Sequence, residues 1–354
     1  MAFTEFGTND AQTRKVWSDK LMRESFGKMD IRTMIGRGPE SCIQLLTDLD
    51  KSAGDTVYYD ILLQDRSDGV NGDSRLKGFE SDLTYQQDTV IINQKRHAHA
   101  FKGMSQQRTV HDLRKDGRFS LSEWWAWFME ASAFAHLTGV SGTGEETVVG
   151  ALGADTAGVD FAGNTITALD ANHLVDGTAG AMSLDLIDDA VAKAKVQNPR
   201  VSPLNINGKK CYVLYLHPYQ VRSLKQEATA VRSWTDIQAN AKERSGSNPI
   251  FTDALGMYNN VILRESEFIP RSGTNVTHGI MLGQGAGSIA FGNAWLKRGT
   301  GAGGGTFFNW REEEDDYGNE VGVAGISCLG LKGNQFGGES YGRIGIRTTE
   351  AAPA

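Results

Sequence analysis

Cysteine is scarce, and no two cysteines lie close together. The chain has 354 residues but only Cys42, Cys211 and Cys328. A disulfide framework, or a zinc or redox site of the Cys-x-x-Cys kind, would need closely spaced pairs. We therefore expect three small apolar side chains in a reducing compartment, and no disulfide.

Long apolar runs and an excess of basic charge are also missing. The longest apolar run, Cys211–Leu216, is far shorter than the ~20 residues of a membrane-spanning helix. No charged segment followed by an apolar stretch begins the sequence, so we expect no secretory leader and no membrane partner. The net charge is −7, whereas tight sequence-independent binding of nucleic acid requires clustered cations. We therefore expect DNA to be contacted only weakly.

Proline is scarce as well, whereas glycine is abundant. The chain contains 7 prolines and 42 glycines, and glycine usually makes up only about 7% of a protein. Glycine without proline is typical of turns, bulges and close backbone approaches in β structure, and not of a disordered linker.

None of the familiar catalytic signatures is present in full. The segment from Gly283 to Gly287 is glycine-rich but does not match the dinucleotide-binding pattern. Neither a phosphate-binding loop with its lysine nor a serine nucleophile elbow occurs. We therefore predict no catalytic residue and no cofactor.

Two clusters of possible metal ligands are better explained in other ways. His97 and His99 point to one face of a strand and could join His111, but Lys95 and Arg96 beside them would repel a cation. We interpret His97 and His99 as surface or interface residues. The acidic run at 312–316 lacks the alternating ligand spacing of a calcium loop, so a solvated face or a patch for a partner's arginines is the better interpretation.

A β-hairpin with a long polar tip is predicted for residues 54–93. Strands rich in β-branched and aromatic residues run from Thr56 to Leu63 and from Leu83 to Ile92. The tip between them is longer than is usual in a compact domain, and an isolated two-stranded ribbon is marginally stable. It should therefore need a partner surface. The charged residues of the tip that we expect to make intersubunit contacts are Arg66, Asp68, Asp73, Arg75, Lys77 and Glu80.

A long helix is predicted to end before Gly139. Leu121, Trp124, Trp125 and Phe128 recur with helical spacing and should form its packed face. Ser120 or Ser122 is the expected N-cap, although the helix could begin near residue 105 if Gly117 is tolerated within it. Trp127 points away from this face and is a candidate interface anchor.

The remaining pattern is typical of an α+β protein with a polar N-terminal arm. We predict helices at 39–46, 183–196, 218–227 and 234–242, and strands at 211–216, 321–331 and 343–347.

Several segments in a shared order resemble the major capsid proteins of tailed bacteriophages, in particular the family of the coliphage N-four coat protein. The similarity extends over roughly residues 54–348. The segments that carry it are Gly54–Val57, Gly78–Tyr85, Val90–His97, Lys102–Arg108, Tyr215–Leu224, Pro249–Tyr258, Leu282–Ala286, Asp316–Asn319 and Gly330–Gly333.

This resemblance implies a Hong Kong 97-type capsid fold. Residues 1–50 would be the N-terminal arm and 51–100 the extended loop that lies over a neighbouring subunit. Residues 101–180 and 299–354 would form the peripheral domain with its spine helix, and 181–298 the axial domain.

The implied function is assembly of hexamers and pentamers into an icosahedral phage head that encloses double-stranded DNA. The expected partners are further copies of the chain, a scaffolding protein, a portal and a decoration protein, with assembly in the bacterial cytoplasm. Two alternatives stay open at this point: another virion protein, of the tail or of the decoration type, and a glycine-rich β-type binding module.

Overall fold

The computed structural model describes residues 21–47, 54–62, 69–83, 85–140, 158–206, 208–226, 256–272, 275–292 and 308–351. Helix and strand content is mixed, as the sequence predicts. The helices are α1 (21–27), α2 (Gly103–Arg108), α3 (Leu113–Thr138), α4 (Leu184–Val196) and α5 (Pro218–Gln226). The strands are β1 (Ile35–Gly36), β2 (Ile43–Leu46), β3 (Thr56–Leu62), β4 (Tyr85–Ile91), β5 (Asn93–Lys102), β6 (Leu174–Gly177), β7 (Leu204–Ile206), β8 (Lys209–Leu216), β9 (Gly256–Tyr258), β10 (Val261–Glu265), β11 (Arg271–Ser272), β12 (Val276–Leu282), β13 (Gly287–Gly292), β14 (Phe308–Asp315), β15 (Glu320–Gly333), β16 (Gln335–Phe336), β17 (Glu339–Ser340) and β18 (Arg343–Thr349).

Two sheets form the body of the molecule. The first has the order β1-β2-β13-β15-β14, with β5 also paired to β15. The second has the order β6-β18-β12-β8-β10-β9, with β7 on β8 and β11 on β12. Strand pairing crosses the domain ranges that the resemblance implies. The strands β6 and β18 lie in the range of the peripheral domain but join the second sheet, whereas β13 lies in the range of the axial domain but joins the first sheet.

The long helix α3 packs between the two sheets. Its Trp125 and Phe134 are fully buried in one core cluster with residues of both sheets, among them Tyr215 and Trp310. The rings of Phe134 and Tyr215 lie 5.2 Å apart. Each such aromatic side chain contributes on the order of 2 kcal/mol by leaving water.

Strand β8 contributes to two cores at once. Val213 and Tyr215 face the α3 cluster, whereas Tyr212 and Leu214 face a second cluster with α4 and α5. A strand covered on both faces must be apolar throughout. This explains the continuous apolar run Cys211–Leu216, which is the buried part of β8.

The start of α3 differs from the prediction. The helix begins at Leu113, and its N-cap is Asp112, whose side chain accepts a hydrogen bond from the Lys115 backbone N–H, so Ser120 and Ser122 lie inside the helix. Glycine is needed at position 117, because a Cβ there would lie only 2.8 Å from the Phe101 ring. The predicted C-terminal stop is confirmed, since Gly139 adopts a left-handed conformation with φ of 68°.

The predicted helix at residues 39–46 is wrong, since Ile43–Leu46 forms β2 and pairs in parallel with β13. The pairing with a strand far along the chain overrides the local preference. The helices predicted at 183–196 and 218–227 and the strands at 211–216, 321–331 and 343–347 are confirmed, within a few residues at their ends. The helix predicted at 234–242 lies outside the described residues. Among the described residues, no helix is long and apolar enough to cross a membrane.

A buried carboxyl group connects α3 to the N-terminal segment. Glu130 is 1% exposed, and its carboxylate accepts a hydrogen bond from the Asp30 backbone N–H over 3.2 Å. Burial, together with the negative charges of Asp30 and Glu267, raises the pKa of Glu130 to about 8. The group is therefore largely protonated at neutral pH.

Candidate intersubunit interface

The predicted hairpin is present, and its two strands pair along their whole length. The antiparallel register runs from Thr56 opposite Ile91 to Leu62 opposite Tyr85. The connection from β4 to the body is short, because β5 begins at Asn93 and pairs with β15 from its first residue. The hairpin is thus a direct extension of the first sheet's edge strand.

A buried polar network holds the base of the hairpin. Asp88 on β4 is 8% exposed and forms an ion pair with Lys332 on β15. It also accepts hydrogen bonds from the Tyr59 hydroxyl at 3.0 Å and the Gln335 backbone N–H at 3.1 Å. Lys332 in turn donates to the Thr89 carbonyl at 3.0 Å. Burial and the Asp88 charge raise the pKa of Tyr59, which therefore stays a neutral donor.

A second set of contacts fixes the return strand to the long helix. The Asn164 side chain accepts from the Ile91 N–H and donates to the Ile91 carbonyl, both at 2.8 Å. Asp160 orients Asn164 by accepting its backbone N–H at 2.7 Å, and lies 3.1 Å from the His136 ring of α3. The Asn164 side-chain amide therefore satisfies both backbone groups of Ile91 and holds the end of β4 against the body.

The tip projects into solvent. Residues 71–83 are all exposed, including the four predicted contact residues Asp73, Arg75, Lys77 and Glu80. Glu80 accepts a hydrogen bond from the Gly78 N–H at 2.6 Å, and backbone hydrogen bonds lower its pKa. Arg66 and Asp68, the other two predicted contact residues, lie outside the described residues.

The same hairpin exposes an unusual number of apolar side chains, which the sequence analysis missed. Phe79 is 74% exposed, Leu83 67% and Leu76 60%, and Tyr58 and Tyr85 on the strands are more than half exposed. Single exposed apolar residues are common, but a group on one projecting element is typical of an interaction site. The signal was present in the sequence as large apolar residues within a polar tip. We define these five residues as the apolar hairpin face.

The residues predicted to form the packed face of the helix lie on α3. Leu121, Trp125 and Phe128 are fully buried. Trp124 is half-buried, and its ring stacks on His97 at 4.4 Å and on Phe128 at 5.2 Å. This face therefore packs against the first sheet and its edge strand β5.

The other predicted interface residues lie near this stack. Trp127 is half-buried and packs against the main core, with its ring 6.5 Å from Trp124. His97 and His99 are half-buried neighbours with ring centroids 5.1 Å apart. Burial, with the charges of His99 and Lys95, lowers the pKa of His97.

The acidic run at residues 312–316 divides into a paired and an exposed part. Glu312 binds Arg114 of its own chain at 2.7 Å and accepts from the Trp310 indole N–H at 2.6 Å. Glu313, Glu314 and the residues after them are exposed at the β14–β15 turn. The expectation of a solvated face or a patch for a partner therefore applies only to this turn.

Comparison with known proteins decides the family. The model of the phage capsid protein family matches residues 5–351, nearly the whole chain. The chain belongs to this family. This chain is 27% identical to the major capsid protein of Pseudomonas phage KPP25 over 369 aligned positions, covering 94% of this chain and 92% of the relative.

Solved structures of phage capsids share the fold. The capsid of Ralstonia phage GP4 superimposes with a TM-score of 0.78 at 29% identity, covering all of both chains. The capsid of cyanophage Pam1 gives a TM-score of 0.70 at 17% identity, covering 91% of this chain and 92% of the other. The mixed α+β architecture of this chain is therefore that of a phage capsid subunit.

Proposed function

We propose that this phage capsid protein is a major capsid protein, which assembles into hexamers and pentamers of an icosahedral head around double-stranded DNA. The observation that carries the proposal is the hairpin. Its base is fixed by buried ionic and amide contacts, while its tip exposes both charged and large apolar groups. A single subunit gains nothing by exposing these groups. A neighbouring copy that covers them gains buried apolar area.

The domain assignment belongs to the same proposal. The chain adopts the Hong Kong 97-type fold, with α3 as the spine helix. Residues 1–50 form the arm, 51–100 the extended loop, 101–180 with 299–354 the peripheral domain, and 181–298 the axial domain. The exposed tip supports the assignment of the extended loop, and the contact of α3 with the first sheet supports its assignment as the spine helix.

The role is structural and not catalytic. Its partners are further copies of the chain, with a scaffolding protein, a portal and a decoration protein as additional ones, and assembly takes place in the host cytoplasm. The net charge of −7 supports weak contact with packaged DNA, because a mildly acidic lining does not hold phosphates tightly.

Assembly works through many weak contacts. Burying one large apolar side chain contributes about 1.5–3 kcal/mol, and part of that is lost when the side chains of the tip become ordered. Because each subunit contacts several neighbours in a closed shell, individually weak contacts combine into stable assembly. The tip charges Arg75 and Lys77 would then select the register through complementary partners.

Deleting the tip tests the proposal. A chain without about residues 66–77 should fold, because the described part of this segment makes few contacts with the body, but it should fail to form stable shells. The readouts are circular dichroism for folding and sedimentation with negative-stain microscopy for particles. Normal particles from the deletion would contradict the assignment of the tip as an intersubunit clamp, and an intact chain that never forms shells, capsomers or tubes would favour a tail or decoration role.

A further inference from the structure

A cluster of one histidine and two carboxylates lies apart from the hairpin. Asp170 precedes the short 3-10 helix Ala171–His173 as its N-cap, His173 is the last residue of this helix, and Glu339 lies on β17. One side-chain ligand atom from each of the three residues lies within 4.8 Å of the others. Two segments far apart in the chain thus bring three potential ligands together.

The hydrogen bonding of His173 leaves one ring nitrogen aimed at the carboxylates. The ring is fully buried, and its Nε2 lies 2.9 Å from the Pro199 carbonyl oxygen. A carbonyl only accepts, so Nε2 must carry hydrogen. In a neutral ring Nδ1 then bears a lone pair, yet it lies 2.9 Å from Asp170 Oδ2. Two acceptors face each other unless a second proton or a cation lies between them.

Other polar atoms at the cluster also lack partners. Glu339 Oε2 and the hydroxyl of Ser340 are shielded from solvent and have no hydrogen-bond partner among the described residues. Ser340 is fully buried beside Asp170, and its backbone N–H donates to Asp170 Oδ1 at 3.0 Å. Buried polar atoms without partners are costly. Their convergence with the His173 lone pair indicates a missing binding partner.

We propose that Asp170, His173 and Glu339 bind a divalent transition-metal ion such as Zn²⁺. An imidazole nitrogen with carboxylate oxygens is a donor set that suits zinc, whereas calcium and magnesium prefer oxygen ligands alone. Metal-ligating histidines usually donate their other N–H to a carbonyl or carboxylate, as His173 does to Pro199. A water would complete the fourth position. The bound ion links the β16–β17 hairpin to the segment before β6.

Zinc binding by the full chain tests this site. EDTA-treated protein is incubated with ZnCl₂ and dialysed, metal is measured by mass spectrometry, and affinity is measured by calorimetry. The variants are Glu339→Gln and His173→Gln, and the control is His111→Gln at an exposed histidine that lies beside Asp116. We expect wild type and the control to bind with equal affinity, and Glu339→Gln to bind at least about tenfold more weakly.

Three outcomes would overturn the proposal. They are an unchanged melting temperature on adding ZnCl₂, equal zinc affinity in wild type and Glu339→Gln, and binding of Ca²⁺ or Mg²⁺ in preference to Zn²⁺. Should His173→Gln fail to fold by circular dichroism, Glu339→Gln decides, because its side chain lies partly at the surface. The first outcome would identify the cluster as a proton-sharing group without metal.

Discussion

The base of the hairpin offers the sharpest quantitative prediction. Asp88→Ala removes the acceptor for Lys332 and the Gln335 N–H. The Tyr59 hydroxyl loses one of its two acceptors and keeps Asn334 Oδ1 at 2.8 Å. Lys332, whose side chain is 16% exposed, would keep only the Thr89 carbonyl as a partner. Removing one member of a buried ion pair costs about 3–5 kcal/mol, because the other charge stays buried without compensation. We expect a loss of that size in the free energy of unfolding by urea.

A surface ion pair provides the control. Lys102 and Glu320 lie 3.4 Å apart with side chains 71% and 40% exposed, so Lys102→Ala should cost less than about 1 kcal/mol. Asp88→Asn combined with Lys332→Met removes both charges and should recover most of the loss. Hydrogen exchange should localise the effect of Asp88→Ala to the β3 and β4 amides. Equal costs for Asp88→Ala and Lys102→Ala would refute the stabilising role of the buried Asp88–Lys332 pair.

Three further changes test other parts of the structure. Phe79→Ser should change monomer stability by no more than about 0.5 kcal/mol, yet it should lower the fraction of assembled particles in sedimentation. The control Val110→Ser, at a fully exposed site outside the hairpin, should change neither quantity. Equal assembly by both variants would contradict the role of the apolar hairpin face. The folded-state pKa of Glu130 lies above its unfolded value, so its contribution to stability is fully present below pH 4.5 and is lost as the pH rises to about 8. In this window the free energy of unfolding of the wild type should fall by roughly 1 kcal/mol per pH unit relative to that of Glu130→Gln. Parallel pH curves for the two proteins would contradict the assignment. Gly330→Ala should lower the free energy of unfolding in urea by about 1–3 kcal/mol, because the added Cβ collides with a backbone carbonyl of the hairpin's return strand. Gly322→Ala should cost under about 1 kcal/mol, because the nearest atom to its added Cβ is 3.7 Å away. Similar losses for the two variants would exclude this steric explanation.

Elements with strong local patterns could be predicted from the sequence. The helical spacing of Leu121, Trp125 and Phe128 located α3, and the β-branched and aromatic run at β3 located the hairpin. The start of α3 could not be predicted, because Gly117 suggested a break, and only the packed structure shows that the Phe101 ring requires the space. The strand β2 was missed for a similar reason. It owes its conformation to β13, far along the chain.

The candidate interface was predicted only in part. The length and charge of the tip indicated a partner surface. The exposure of Leu76 and Phe79 was not predicted, because these apolar residues lie among many charged ones. The buried Asp88–Lys332 pair had no local signal in the sequence, since its two residues are separated by 244 positions. The glycines of β15 are likewise explained only by the close approach of neighbouring elements, such as β4 at Gly330. Local chemistry therefore predicts elements, whereas contacts between distant segments determine how the hairpin is held.

The most direct test is a cryo-electron microscopy map of particles assembled from the purified chain. We expect a closed shell in which the hairpin of each subunit lies over an adjacent copy, with Leu76, Phe79 and Leu83 buried between subunits. A shell in which these side chains stay exposed to solvent, with the hairpin touching only its own subunit, would contradict it.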